Sequence, residues 1–558
     1  MSGTPKATVG VDFGTESARA VLVDVGTGRE LATAVRRYTS GVIDQRLPGD
    51  GVTLAPDWAL QDPDDYLDAL GSTVRAVLAE TGIDPADVIG IGIDFTACTM
   101  LPVTADGTPL CRLSDLRSDP HSWVKLWKHH AAQPEADLIN HTAEARGEPW
   151  LDRYGRRTSS EWFFAKSLQI LDEAPAIYAR ADRLIEAADW VVWQLTGVET
   201  RNSCTAGYKA LWSKQDGFPD RAFFDALASG FADVVDEKMS RTIARPGERA
   251  GVISPEAAVL TGLNSGTPVA VANVDAHVSV PAATVVSPGS LVAVMGTSTC
   301  HLALADVYRV VPGFCGVVED GVIPGLFGYE AGQAAVGDMF AWFAGLLARD
   351  GESLDELHRS FEHDASLLEP GESGLVALDW WNGNRSILVD AELTGLLMGA
   401  TLATSPGEIY RALLEATVFG TRVIIETLEE SGIGVDEMVV CGGLPFQNRL
   451  LMQLSADITG RPVRVAESRQ APALGSAMFA AVAAGPDMGG YDSIVEASER
   501  MARLGRDEYL PNESTRPAYD DLYSIYKDLH DTMAGPSSEM RRLRSVQDRA
   551  RKQTVVSA

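Results

Sequence analysis

Residues 8–24, TVGVDFGTESARAVLVD, run from an apolar segment through a short turn of small and hydroxyl residues into a second apolar segment. That order reads as a β-hairpin with a polar tip. A second stretch of the same kind, SLVAVMGTSTCHLAL, spans residues 290–304, and its Gly296, Thr297 and Ser298 occupy the tip that Gly14, Thr15 and Ser17 occupy in the first. The repetition implies two related halves. Strands alternate with helices around both hairpins, the pattern of a layered α/β protein.

Working outward, Asp62-Pro63 opens a helical pattern that Gly82 closes, with a cap residue, a proline at the first helical position and a glycine past the end. The strand VIGIGID (88–94) follows. In the second half, Ser405-Pro406-Gly407-Glu408 has capping-box spacing ahead of a helical run to Glu430, which Gly432 can end. A strand at 437–443, a helix from about Gln447 to Thr459 and the strand PVRVAE come next. The break between halves falls near Pro281–Gly289, so a cleft there is the natural site. The expected division is 1–285, 286–490, and a helical extension at 491–558 whose basic tail, MRRLRSVQDRARKQ, packs on the body.

The chain has 558 residues, 45% hydrophobic and 22% charged, as expected of a folded protein. Its net charge, 47 minus 77 or -30, disfavours nucleic acid and anionic membrane surfaces as partners. Six cysteines without a C-x-x-C pair suggest neither zinc nor disulfides and fit a reducing cytoplasm. MSGTPKATVGVDFG contains no apolar signal core, and no membrane-length apolar run occurs.

Turns rich in glycine let backbone N–H groups approach a phosphate, and Thr15, Ser17, Thr297 and Ser298 add hydroxyls. Either turn alone would read as an ordinary hairpin. Asp12, at a strand end, can hold Mg2+ or a magnesium-bound water, or serve only as a turn residue. Asp275 in NVDAH follows the apolar run PVAVA near the break; it is the candidate general base, with capping of the next helix as the structural alternative. No G-x-x-x-x-G-K-[ST] occurs, no H-R-D accompanies Asp12-Phe13-Gly14, and Gly90-Ile91-Gly92 lacks the third glycine of a dinucleotide fingerprint because Phe95 stands there. His129 and His130 read as a partly solvated helix face, His277 as a packed histidine, and Lys209 as a surface lysine.

These motifs resemble the FGGY carbohydrate kinases over nearly the whole length. VGVDFGTESARA, MGTSTC, and VVCGGLPFQNRLLMQLSADITGRPV with ALGSAMFAA carry the general resemblance. GIDFTACTMLPV, WVKLWKHHAAQ, YGRRTSSEWFFAK, RNSCTAGYKALW, NVDAHVSVPA and WWNGNRS are similar to the members that act on L-ribulose. The resemblance implies a duplicated actin-like ATPase fold, with two RNase H-like α/β domains closing over a cleft. It also implies ATP and Mg2+, and phosphorylation of L-ribulose or a related pentulose or polyol, ahead of an actin-like ATPase module. By the same resemblance Asp275 is the base and Asp12 the metal-side aspartate; Ala97, Lys209 and Glu330 contact the sugar alongside Asp275. Gly14, Thr15, Gly296 and Thr297 form the phosphate turns, and Gly442, Gly443 and Asn448 the adenosine segment. A homodimer is the family-level expectation.

Overall fold

All seven residues of the strand Ala7–Phe13 are buried, which marks it as a central strand covered on both faces. It pairs antiparallel with Ser17–Asp24, Ala7 opposite Asp24 and Phe13 opposite Ala18. Glu30–Arg37 extends the sheet beyond Ser17–Asp24, again antiparallel. On the other side of Ala7–Phe13 lie Val88–Phe95 and Pro268–Ala270, both parallel, and then the antiparallel edge Arg249–Val252. The computed structural model describes residues 6–49 and 51–556; residues 1–5 of the N-terminal stretch read above lie outside them.

The second hairpin builds the same sheet again. Gly289–Met295 pairs antiparallel with Thr299–Ala305, and Phe327–Gln333 lies beyond it. On the opposite side Val435–Gly442 and Val463–Ala466 run parallel, and Leu504–Tyr509 closes the edge antiparallel. Six strands of each sheet share one spatial order and set of directions; the second sheet adds Gly316–Glu319 beyond Phe327–Gln333, and its edge strand Leu504–Tyr509 follows its neighbour in the chain where Arg249–Val252 precedes its own. This is the duplicated architecture expected from the paired hairpins.

Two helices sit between the sheets. Asp275–Ala282 packs on Ala471–Ala484 so closely that a Cβ on Gly475 would overlap the Val278 backbone. Ala471–Ala484, from the second half by sequence, also lies on the first sheet, where Cβ atoms on Gly10, Gly90 and Gly92 would meet the backbone of Ala473, Ala480 and Ser476. The glycine pair in VIGIGID is therefore a flat seat for a helix, since glycine is where two backbones can touch.

The caps form as read. Asp62 accepts the Asp64 N–H ahead of Pro63–Thr81, and Gly82 ends that helix at φ 64°. Ser405 and Glu408 cap Pro406–Glu430 reciprocally. Three readings need correction. The helix expected from Gln447 starts at Arg449, with Asn448 as its cap. His129 and His130 lie in a turn; His129 is fully buried and pairs with Gln169, while His130 is exposed at its tip. The segment after 491 is not wholly helical, because Leu504–Tyr509 forms a sheet edge whose charged solvent-side residues obscure the strand pattern.

The first half also carries a four-stranded sheet in the order Leu60–Gln61, Val124–Lys125, Met100–Val103, Arg183–Glu186. Its neighbouring core is aromatic, with Trp150, Tyr154, Phe164, Phe223 and Phe231 buried together. No helix among the described residues is long and apolar enough to cross a membrane.

Candidate active site

Parallel strands bring their C-terminal ends to one edge, and the carboxylates of the first half gather there. Asp12 is the register partner of Asp94, and Asp94 in turn of Asn273, two residues before Asp275. Asp12 accepts a hydrogen bond from Arg19 Nη1 at 3.2 Å. Asp94 Oδ2 accepts from Ser476 Oγ at 2.5 Å, while its buried Oδ1 receives no N–H or O–H donor among the described residues and the carboxyl lies in direct interaction with that of Asp12. Burial and then the charge of Asp12 push Asp94 well above the ordinary carboxylate range. Burial also raises Asp12, against the pull of Arg19.

Asp275 opens its helix, and its Oδ1 accepts the Ala276 N–H at 2.6 Å. Burial first, and then the Asp12 charge, push it up to about 7. A carboxylate poised there can take a proton near neutral pH, as a general base must. The capping alternative does not hold: Val274 occupies the cap position, no side chain caps the helix, and Asp275 is its first residue, accepting only the adjacent N–H.

A second cluster lies beside it. Lys209, at the end of helix Ser203–Lys209, is buried and not a surface lysine; Nζ donates to Glu330 Oε1 at 2.7 Å and Oε2 at 2.9 Å. Glu330 sits on the strand Phe327–Gln333 of the second half. Burial alone would raise Glu330, but Lys209 holds it well below its usual range; the same pair more than offsets the downward push of burial on Lys209. His277 Nε2 is 3.3 Å from Glu330 Oε2, and burial holds the imidazole below its usual value. His277 is packed, as expected, against Tyr208 at 4.3 Å. It also touches the cluster.

Lys209 and Glu330 line a cavity of about 620 Å3 together with Tyr154, Trp162, Asn384 and Arg385. That volume suits a small polar ligand. Asp12, Asp275 and Ala97 lie outside its lining, although the charges of both Glu330 and Lys209 act on Asp275. Ala97 follows Thr96, whose N–H donates to the Phe13 carbonyl at 3.2 Å, so its turn abuts the strand that carries Asp12.

The two glycine-hydroxyl turns are braced differently. Gly14 O accepts from Tyr38 Oη at 3.0 Å, Thr15 O from Gln61 Nε2 at 2.7 Å, and Thr15 Oγ1 from Trp127 Nε1 at 3.0 Å. In the second turn the carbonyls of Gly296 and Thr297 accept the N–H groups of Gly337 and Val336, which open the helix Gly337–Leu347. Gly442 is the register partner of Met295; at φ 95° it leaves no room for a Cβ against the Met295 backbone. Asn448 is buried, its Oδ1 accepting the Leu451 N–H at 2.8 Å, so its side chain is committed to the helix cap.

Among the described residues no group of three or more His, Cys, Asp or Glu is arranged to hold a metal by itself. Asp12 and Asp94 Oδ1, which receives no such donor, fit an ion whose remaining ligands are phosphate oxygens and water. Sequence reasoning overlooked Asp94 and Arg19, whereas His277 was within reach of it, standing two residues from Asp275. The signal for Asp94 was present, since it ends an apolar run as Asp12 does.

Residues 7–280 match the N-terminal domain, and residues 291–484 the C-terminal domain, of the FGGY family of carbohydrate kinases. The chain belongs to that family. It is 54% identical over 553 residues to the ribulokinase of Geobacillus thermodenitrificans, covering 98% of each chain. The ribulokinase of Mycolicibacterium smegmatis is 51% identical over 565 residues, covering 100% of this chain and 99% of the relative. In fold it is similar to the xylulose kinase of Rhodospirillum rubrum, with a TM-score of 0.76, 22% identity, and 95% and 99% of the chains covered. Plasmodium falciparum glycerol kinase with ADP gives a TM-score of 0.74 at 15% identity, covering 95% and 99%.

Proposed function

We propose that this protein phosphorylates L-ribulose at its 5-hydroxyl with ATP, giving L-ribulose 5-phosphate and ADP, as a step in L-arabinose breakdown. The observation that carries the reading is the adjacency of Asp275, raised to about 7, to the buried Lys209–Glu330 pair on the cavity, in a chain 54% identical to a ribulokinase along nearly its whole length.

In this reading Asp275 takes the proton of the 5-hydroxyl while that oxygen forms its bond to the γ-phosphorus and the bond to the β-bridging oxygen breaks, releasing ADP. Lys209 donates to sugar hydroxyls and Glu330 accepts from them. Ala97 offers a small wall beside the strand end. Gly14 and Gly296 close their own turns, their N–H groups donating to the Ser17 and Ser298 carbonyls at 3.0 and 2.9 Å, and so present the N–H groups and hydroxyls of Thr15 and Thr297 to the phosphates, where preformed dipoles stabilise the transferred charge. Gly442 and Gly443 bound the adenosine, and Asn448 acts through the helix it caps. Asp12 would hold Mg2+, which neutralises phosphate charge when bound with ATP.

The division into an N-terminal sugar-binding domain (1–285), a C-terminal ATP-binding domain (286–490) and an extension (491–558) belongs to the same proposal. So do a cytoplasmic location, consistent with six free cysteines, and a homodimer, which sedimentation would test. ADP release from MgATP, measured with L-ribulose, D-ribulose, D-xylulose, ribitol and glycerol against a no-sugar control, tests the function. Strong stimulation by L-ribulose is expected. Preference for another alcohol would move the substrate, and sugar-independent release would replace the kinase by an actin-like ATPase.

A further inference from the structure

The helix Glu539–Val556, which contains the whole stretch MRRLRSVQDRARKQ, begins at the cavity that holds Lys209 and Glu330. Arg541 lines that cavity alongside Asn382, Asn384, Asp390 and Glu392. Its guanidinium is ion-paired with Asp390, comes within 4.0 Å of Glu392 Oε2, and donates from Nε to the Gly535 carbonyl at 3.3 Å. One residue earlier, Met540 is buried in the core of the second half, and its sulfur accepts the Thr394 N–H at 3.1 Å. Two consecutive tail residues therefore grip one end of the segment 382–394.

That segment is internally closed. Asn384 and Asp390 exchange both backbone hydrogen bonds at 2.8 Å, and Asn384 Oδ1 accepts the Leu388 N–H at 3.0 Å. Its other end carries Arg385, which reaches across to Glu161 of the first half at 3.8 Å. Asp390 is thus the point where a closed loop on the cavity wall is tied to the tail. A wall clamped at both ends can refuse a bulky ligand, whereas a loose one yields to it. Lys209 and Glu330 line this cavity whereas Gly296, Thr297, Gly442 and Gly443 do not, so the clamp bears on the pocket of that ion pair and not on the residues assigned to ATP.

We propose that Met540 and Arg541 make the C-terminal tail a specificity element, holding the 382–392 loop as the outer wall of the acceptor cavity so that a pentulose is admitted and longer ketoses are discriminated against. The inference rests on the reading that this cavity takes the sugar.

Full-length Arg541→Ala, Arg541→Lys and the charge-swapped pair Asp390→Arg/Arg541→Asp would be assayed with L-ribulose, with a hexulose, and with varied MgATP. Arg541→Ala is expected to raise the KM for L-ribulose about tenfold and to narrow the kcat/KM ratio of L-ribulose over the hexulose by a similar factor, the range one specificity contact commands. KM for MgATP stays unchanged. Arg541→Lys falls between, and the swapped pair returns both acceptor parameters part of the way to the parent, because it restores the pairing between positions 390 and 541 but not the contacts of Arg541 with Glu392 and the Gly535 carbonyl. An unchanged acceptor KM and ratio in Arg541→Ala overturns the proposal, as does an equal rise in the MgATP KM. A swapped pair that melts with the parent and yet fails to recover also overturns it. Wild-type turnover of L-ribulose, measured first, tests the acceptor reading separately; if another alcohol is preferred, the same ratios are read with that alcohol.

Discussion

Lys209 and Glu330 come from opposite halves of the chain and meet as a two-pronged ion pair, Nζ lying 2.7 and 2.9 Å from the two carboxylate oxygens. Both side chains are less than a tenth exposed. Removing one partner strands a buried charge, which costs about 3–5 kcal/mol, whereas replacing both with apolar groups of similar volume is close to neutral. Glu330→Gln should therefore melt well below the parent, and Lys209→Met/Glu330→Leu should recover most of that loss in thermal unfolding. Neither variant should regain sugar-stimulated ADP release. A double variant no more stable than Glu330→Gln would show that the pair is not the source of the loss.

Asp275 gives a pH prediction with a defined sign. The base acts only when deprotonated, so kcat/KM for the sugar should rise with pH up to about 7 and level off above it. Asp275→Asn should lower kcat by about 100- to 10,000-fold while sugar binding, followed by calorimetry, stays within a few-fold. Stability moves the other way. A carboxyl held at about 7 in the fold and at 3.8 when unfolded favours folding at low pH, and that contribution is lost as pH rises through this window. The Asn variant should match the parent at acid pH and exceed it at pH 8 by up to about 4 kcal/mol, because each tenfold difference in proton affinity between the folded and unfolded chain is worth about 1.4 kcal/mol.

Gly10→Ala places a methyl against the Ala473 carbonyl of the helix that joins the halves. The obstacle is backbone, so the sheet carrying Asp12 must shift. Overpacking of this kind costs about 1–3 kcal/mol or more, and melting temperature and kcat should fall together. A variant with parental melting would mean that the seam between the halves is looser than the glycine contacts imply.

The adjacent Gly442 and Gly443, proposed above to bound the adenosine, should separate fold from binding. Gly443 has φ -78° and open space where a Cβ would stand, whereas Gly442 has φ 95° and the Met295 backbone against it. Gly443→Ala should leave the melting temperature unchanged and raise the KM for MgATP severalfold, because the added methyl meets only the nucleotide. Gly442→Ala should lower stability by about 1 kcal/mol or more, through backbone strain and through the overlap of the methyl with the Met295 backbone. An unaltered MgATP KM in Gly443→Ala would remove that residue from the nucleotide site.

Much of this architecture is local and was legible for that reason. The hairpin tips, the Asp62-Pro63 and Ser405–Glu408 caps and the terminating Gly82 act within a few residues, and the structure forms each of them. Asp12 and Asp275 stood out because each ends an apolar run. Asp94 also ends one, but its neighbours suggested only a glycine pair, and parallel pairing with Ala7–Phe13 was needed to set it beside Asp12. Local sequence misjudged Lys209, since the segment YKALW does not reveal that Glu330, 121 positions away, neutralises it in the interior. The same blindness affected His129, buried through contacts with Gln169 and the Ala59 N–H.

The order of residues is enough to define the class of the protein: two α/β halves, two glycine-hydroxyl turns and two strand-end aspartates, each set by burial pattern and turn chemistry over short range. How these parts meet is a property of the folded chain. Which carboxylates share an edge, which charges can be buried because they are paired, and which loop the tail holds against the cavity all depend on strand register and helix packing between residues far apart in the chain. Local propensity carries no record of those partners, because a buried charge or a bare glycine is stable only in the presence of what lies across from it.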